Sequence, residues 1–333
     1  MSGKFRMLVC AAAASLLLPV AQASAAEPLP WPLPGSPPLP PDYTVPYLPA
    51  VNPVCVEGKL SCVLQLETTL QQKVAALGCD HDAVFADAYL TITRGYIESA
   101  TDPDYFDDLV RIDPLAVRGT YDRPDRVNHE VRNYAQEYLD QYAAWHSGNL
   151  GEVAPSWRIA FQAADDESVT ATGDLLLQLN AHIRRDNAIR AIEQTEGVLR
   201  VDGPMPDASG RLDHDRISDV LQENAEFMTD RLADRYDPSL NDSNESLGMV
   251  IDPKSIYLLI SSWREEAWRN AEQLRHARAA GGVDGPLYQA KLAEIEASAE
   301  AAAYAILEAT RTTPEDNETR RQYCLDHLGT GTP

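Results

Sequence analysis

From Cys55 onward, prolines and glycines recur at the spacing of helix ends. Proline's fixed φ and missing amide suit the first helical turn, and glycine suits the left-handed residue after the last one. On this reading helices run from about Ser61 to Leu77 with Gly78 just beyond, Asp82 to Ser99, Pro124 to His146 before Gly148, and Pro155 to Ala164. They continue with Ser168 to Glu196 before Gly197, Asp213 to Tyr236, Pro253 to Ala280 before Gly281-Gly282, Pro286 to Arg311, and Pro314 to His327. Alternating strand patterns are nearly absent, so the expected fold class is all-α. We expect a single-domain multi-helix bundle over residues 55–333, long enough to bury a sizeable core. The alanine-rich Ala297–Ala305 stretch permits close helix packing. Two polar connections, Val201–Gly210 and Asp237–Asn244, read as surface loops or lids.

Ahead of that body, 11 prolines fall between Pro28 and Pro53. Such a segment, residues 26–54, is neither helix nor central strand and is expected to be an extended polyproline-like arm. Two uses compete: a spacer, or a strap laid on the body by Trp31, Tyr43 and Tyr47. Residues 1–25 carry Lys4 and Arg6, an apolar run from Leu8 to Val20 and the small residues Ala23-Ser24-Ala25-Ala26, the three parts of a secretory signal peptide. Its apolar run is shorter than the about 20 residues that span a bilayer as a helix. Export with cleavage near Ala25 or Ala26 follows, leaving no transmembrane anchor. Cys10 lies within the apolar run behind Leu8 and Val9, without the small residue that a lipid-anchor signal places there.

The chain has 28 basic and 51 acidic side chains, a net charge of −23. Removing Lys4 and Arg6 leaves 26 basic against 51 acidic, or −25. Such a field repels phosphodiester backbones, which argues against nucleic acid as a partner. Four cysteines remain after cleavage, and an even number in an exported chain favours disulfides. Of the three possible pairings, Cys55 with Cys62 and Cys79 with Cys324 are favoured, a local loop and a long-range clasp.

The chemistry concentrates between Asp174 and Asn187. At about 100° per residue, Leu175, Leu179, His182, Asp186 and Ile189 share one arc of a helix. Polar groups on an apolar stripe require partners, because burying them alone costs roughly 2 to 7 kcal/mol. His182 and Asp186, one turn apart, are able to hold one divalent metal jointly. They are equally able to share a hydrogen bond inside a polar network. A purely structural pair predicts that replacing both by apolar residues is near neutral while a single replacement costs about 1 to 3 kcal/mol. Further ligands have to come from other helices. Glu130 lies beside the Val127, Val131, Tyr134, Tyr138 stripe. Asp213, His214, Asp215 and Asp219 crowd a helix start, where carboxylates favour exposed amides. Arg264 shares a row with Trp268 and is suited to an ion pair with Glu130 or Asp215, or to an anionic substrate. His81, His146, His276 and His327 have no supporting carboxylate pattern.

Several segments together resemble a family of bacterial, mostly exported helical proteins classed as a domain of unknown function. They are Pro155-Ser156-Trp157-Arg158-x-x-Phe161, Gln178-Leu179-Asn180-Ala181-His182-Ile183-x-x-Asp186, Asp215-Arg216-Ile217 and Arg264-x-x-Ala267-Trp268. The similarity covers roughly Phe85 to Ala271 and implies a helical fold without an established activity. It also singles out Asp215, and an aspartate in place of Glu130. Where the family pattern has a second histidine this chain has Arg185, and Asn187 replaces the following leucine, which puts a two-histidine metal site in doubt.

No nucleophile-elbow serine, no His-Glu-x-x-His helix and no phosphate-cradling glycine loop occurs. Two functions therefore stand. One is a hydrolase with a buried His/Asp/Glu centre, whose catalytic residues are His182, Asp186, Asp215 and Arg264. Its metal ligands, for a divalent ion such as zinc, are His182, Asp186, Glu130 and Asp215. The other is a non-catalytic secreted protein that binds a small molecule or a cell-envelope ligand.

Overall fold

The computed structural model describes residues 55, 57–112, 119–192, 208–240 and 253–328. The signal peptide, the proline-rich arm, Gly197, most of Val201–Gly210 and the Asn241–Asn244 tip lie outside the described residues. Proline-started helices form where the sequence places them. Pro124–His146 is α4, Pro155–Asp165 is α5, Pro253–Gly281 is α8, Pro286–Ala309 is α9 and Pro314–His327 is α10. Ahead of α4 come α1 (Leu60–Leu77), α2 (Ala83–Thr101) and α3 (Tyr105–Ile112). Between α5 and α8 lie α6 (Ala171–Leu179) and α7 (Ala208–Arg235). Gly78 ends α1 with φ 59°, a left-handed value that costs glycine little.

Four differences from the sequence reading have local causes. α3 was not anticipated: it is only eight residues long, and Tyr105, Phe106 and Leu109 turn inward from it against Tyr96 and Tyr121. Short 3₁₀ turns form at Leu150–Glu152 and Pro238–Leu240, the latter inside the expected second loop. α7 begins at Ala208, earlier than Asp213. The largest change concerns the expected helix from Ser168. Its α part ends at Leu179, and the chain continues without a break as a π-helix, Asn180–Ile192.

Among the described residues the architecture is all-α, with one isolated bridge between Val169 and Arg311. The π-helix occupies the centre, packed by α4, α5, α8 and α9, while α1 lies on α2 and α2 on α7. One apolar cluster joins Phe85, Tyr138, Trp157, Leu175, Ile183, Leu232 and Trp263, and a second joins Ile189, Trp268, Leu274, Tyr288 and Leu292. Small residues set the closest approaches. A Cβ at Gly95 on α2 would fall 2.3 Å from the Asn224 side chain of α7. Ala299 of α9 is fully buried and its carbonyl accepts from Asn180 Nδ2 at 2.8 Å, so the alanine stretch seats α9 on the π-helix.

Both favoured disulfides form, Cys55–Cys62 and Cys79–Cys324. The second clasps α10 to the end of α1, beside Arg320, which donates to Asp174 of α6 at 2.7 Å. Among the described residues no helix is long and apolar enough to cross a membrane.

Candidate functional site: an imidazole in an aromatic cage

α4 runs alongside the π-helix and presents Glu130, Tyr134, Glu137 and Tyr138, spaced three and four residues apart on one face. The Tyr134 ring lies flat on the His182 imidazole, with centroids 3.6 Å apart and planes 8° from parallel. The Tyr134 hydroxyl donates to the His182 carbonyl at 2.8 Å. α2 adds Phe85 and Tyr89, whose rings lie 5.6 and 4.9 Å from the imidazole, and Trp157 of α5 lies at 6.2 Å. His182 is therefore caged by aromatic rings from three helices, with Tyr134 stacked on it and Phe85, Tyr89 and Trp157 set edge-wise.

One edge of that cage is ionic. Asp186 Oδ2 lies 3.3 Å from His182 Nδ1 and accepts from Trp157 Nε1 at 2.9 Å. Its Oδ1 accepts from Arg185, whose guanidinium also donates to Glu137 at 2.8 Å and to Glu296 of α9 at 2.7 Å. Arg185, Asp186, Glu137 and Glu296 are all buried. One formal cation thus faces three carboxyl groups, each hydrogen-bonded to it, as buried ions must be to persist.

This surrounding fixes the state of the imidazole. Burial pushes the His182 pKa down, and the hydrogen bond and charge of Asp186 only partly oppose it, so the ring is neutral at pH 7. The carboxylate holds the proton on Nδ1, which leaves Nε2 as a bare acceptor. Nε2 is buried and has no hydrogen-bond partner among the described residues, and the same holds for the hydroxyl of Tyr89.

Beyond Tyr134 lies a second polar group. Arg264 donates to the His214 carbonyl at 2.8 Å and to Ser218 Oγ at 2.9 Å, and touches His214 Nδ1 at 3.1 Å. It makes no direct ion pair with Glu130 or Asp215, contrary to the sequence reading; both act on it through longer-range attraction. The His214 ring packs on Trp268 at 4.9 Å and is held well below its ordinary pKa by burial, with Arg264 and Arg211 adding to the effect. Burial raises the Glu130 carboxyl to about 8 against the pull of Arg264.

His182 and Asp186 therefore meet as the sequence anticipates, and Glu130 and Arg264 share the neighbouring group. Asp215 is elsewhere: its side chain is one-third exposed and pairs with Arg211 at 3.0 Å. The four expected metal ligands are not gathered, and among the described residues no group of three or more His, Cys, Asp or Glu side chains is placed to hold a metal ion. Two histidines read as lacking carboxylates do have them. His81 Nδ1 lies 2.9 Å from Asp174, and His146 Nε2 lies 3.5 Å from Asp82. Both partners come from other helices, so no local pattern announces them. Arg185, Glu137 and Glu296 escape detection for the same reason, whereas the Tyr134/Tyr138 stripe beside Glu130 is a visible signal of the cage.

Comparison with known proteins adds a family and no activity. A sequence profile described as "Family of unknown function (DUF5995)" matches residues 63–309, and the chain belongs to that family. No curated protein and no solved structure matches.

Proposed function

We propose that this member of a family without an assigned reaction is an exported enzyme in which His182, oriented by Asp186, acts as a general base in hydrolysis. The observation that carries the reading is a buried imidazole whose Nδ1 lies 3.3 Å from the Asp186 carboxylate and whose Nε2 has no hydrogen-bond partner among the described residues. That is the arrangement by which an Asp-oriented histidine withdraws a proton from water or a hydroxyl. A spacing of 3.3 Å suits a resting state that tightens when charge develops. Once Nε2 takes the proton, the imidazolium faces Asp186 on one edge and the Tyr134 ring on its face, and both stabilise a cation. Trp157 and Arg185 each donate to an oxygen of Asp186 and so hold the carboxylate beside His182 Nδ1, which makes them positioning residues. Glu130, in the group beyond Tyr134, keeps its proton at neutral pH and is our candidate to return one to a leaving group.

Donor chemistry favours the general base over a metal. The Asp186 carboxylate is already occupied by Trp157, Arg185 and His182, and Asp215 is committed to Arg211. The aromatic walls suit a small substrate with an apolar or aromatic flank next to its scissile bond.

A second reading is supported by burial, since His182 is 3% exposed: an apolar ligand bound through one hydrogen bond to Nε2, without turnover. The test is a panel of aryl and alkyl esters, amides and phospholipids offered to the mature chain, with elemental analysis of the same sample. The general-base reading expects hydrolysis of at least one class, reduced by about 10² to 10⁴ in His182→Ala, with circular dichroism unchanged. Stoichiometric zinc, manganese or iron that is lost in His182→Ala replaces the general base with a metal centre. Binding without turnover, abolished by the same substitution, selects the second reading.

A further inference from the structure

α10 is docked on the body through a narrow polar stripe. Its buried side chains are Asn317, Arg320 and Cys324, spaced three and four residues apart along one line. None of them is a large apolar group, and Leu325 and Leu328 at its far end are 53% and 43% exposed. A helix that buries so little apolar surface gains little from the hydrophobic effect, so its seat depends on particular bonds. Cys324 is joined to Cys79, and Asn317 Nδ2 donates to the Glu167 carbonyl. Arg320 donates to Asp174 at 2.7 Å, and the Tyr323 hydroxyl makes a longer contact, 3.4 Å, with the Asp234 carbonyl. Asp174 stands in the first turn of α6 with its side chain fully buried. Among the described residues its Oδ2 is answered by Arg320 and His81, and its Oδ1 has no partner. The chain ahead of α10 is pinned to the same helix start: the Thr170 amide donates to the Thr310 carbonyl at 2.9 Å, and the Thr312 amide to the Ser168 carbonyl at 3.1 Å. α6 then runs without a break into the π-helix that carries His182.

We propose that the Cys79–Cys324 bond is a redox latch: its reduction by a dithiol releases α10 alone, withdraws Arg320 from Asp174 and loosens the start of the helix that carries His182. Cys79 is partly exposed whereas Cys324 is buried, so the bond is open to attack from the Cys79 side. A thiolate of the dithiol attacks Cys79 Sγ and the sulfur–sulfur bond breaks, with Cys324 Sγ leaving as a thiolate that takes up a proton. The second thiol of the reductant then attacks the mixed disulfide, closes the reductant's own disulfide and frees Cys79. Two electrons and two protons pass in this way from the dithiol to the two cysteines. Once the bond is open no large apolar side chain keeps α10 in place, and Cys324 is the one residue of α10 that the apolar clusters lose. Departure of Arg320 leaves Asp174 as a buried carboxylate with His81 as its partner, a state that favours opening the first turn of α6 to water.

The test compares the mature chain before and after treatment with dithiothreitol, with alkylation of the free thiols to establish that the bond has opened. A trypsin pulse reads α10 through cleavage after Arg320 and Arg321, and hydrogen exchange of the Asp174–Leu179 peptide reads α6. Because dithiothreitol also opens Cys55–Cys62, the same measurements are made on the Cys79→Ser, Cys324→Ser double variant, which keeps that bond. The latch predicts cleavage at least about tenfold faster once the bond is open, since proteolysis follows the population of the open form. α6 should exchange faster, while α2 and α8 keep their protection and the chain its helical content. In the oxidised chain Arg320→Gln should speed exchange of α6 with α10 still attached. A bond that dithiothreitol cannot open in the folded chain, or a reduced chain whose α10 resists trypsin as before, overturns the proposal. So does loss of protection throughout the body at once, which would make the bond a support of the whole fold. An Arg320→Gln chain with α6 unchanged removes the coupling of α10 to the helix of His182. None of these outcomes requires a reaction at His182.

Discussion

At the residue scale the site turns on what each buried charge touches. A lone His182–Asp186 pair would tolerate joint replacement by leucines, but Asp186 also satisfies Trp157 Nε1 and Arg185. Asp186→Leu should therefore cost about 3 to 5 kcal/mol, as expected when one partner of a buried ion pair is removed. Adding His182→Leu should recover little of that loss, and urea titration of the single and double variants measures the difference. Glu130 makes an independent prediction with a definite sign. Its folded-state pKa of about 8 exceeds the ordinary 4.5. The native chain thus keeps a proton that the unfolded chain has lost, and this contribution to stability declines as pH rises through that window. Glu130→Gln mimics the protonated form, and its stability curve should be flatter over that range than the parent's. The sequence reveals His182 and Asp186 because they lie four residues apart within one leucine-rich segment. It conceals Arg185's role because its partners are 48 and 111 residues away.

At the scale of elements, the departure from a plain α-helix at Asn180 is what seats the site. A π-helix places one more residue in each hydrogen-bonded turn, and such segments, normally a single turn, concentrate at functional sites. Here the π-helix carries Asn180, His182, Arg185, Asp186 and Asn187, all buried. Apolar periodicity locates this helix but carries no information on its winding, since leucines at three and four residues fit either form over a short stretch. The starts of α4, α5, α9 and α10 were readable because proline marks them. The eight residues of α3 were not, because its inward-facing residues pack against distant tyrosines. The small residues of α9 set its distance from the π-helix. Ala299→Leu should force the two apart and cost about 1 to 3 kcal/mol by overpacking. It should also lower any His182-dependent activity while α9 stays helical, which circular dichroism and the rate assay report together.

At the scale of the whole molecule, the chain is held as a helical body by three apolar clusters and by a clasp between Cys79 and Cys324. Cysteine parity points to disulfides and helix punctuation to the all-α class, both properties of the sequence alone, while parity leaves three pairings of which the clasp is one. The convergence of α2, α4, α5 and the π-helix on one imidazole is a property of packing, which brings Tyr89, Tyr134, Trp157 and His182 together from separate segments. The account depends on that ring being neutral, with its proton on Nδ1 and its Nε2 bare. Because burial lowers its pKa, the folded chain should resist protonating it below the ordinary 6.5, so its contribution to stability falls as pH drops through that value and below. Nitrogen-15 NMR of the histidine side chains measures this state directly, with His182→Gln assigning the resonance. The prediction is an unprotonated Nε2 and a protonated Nδ1 at pH 7, persisting below pH 6.5. An imidazolium at neutral pH, or the proton on Nε2, would contradict it.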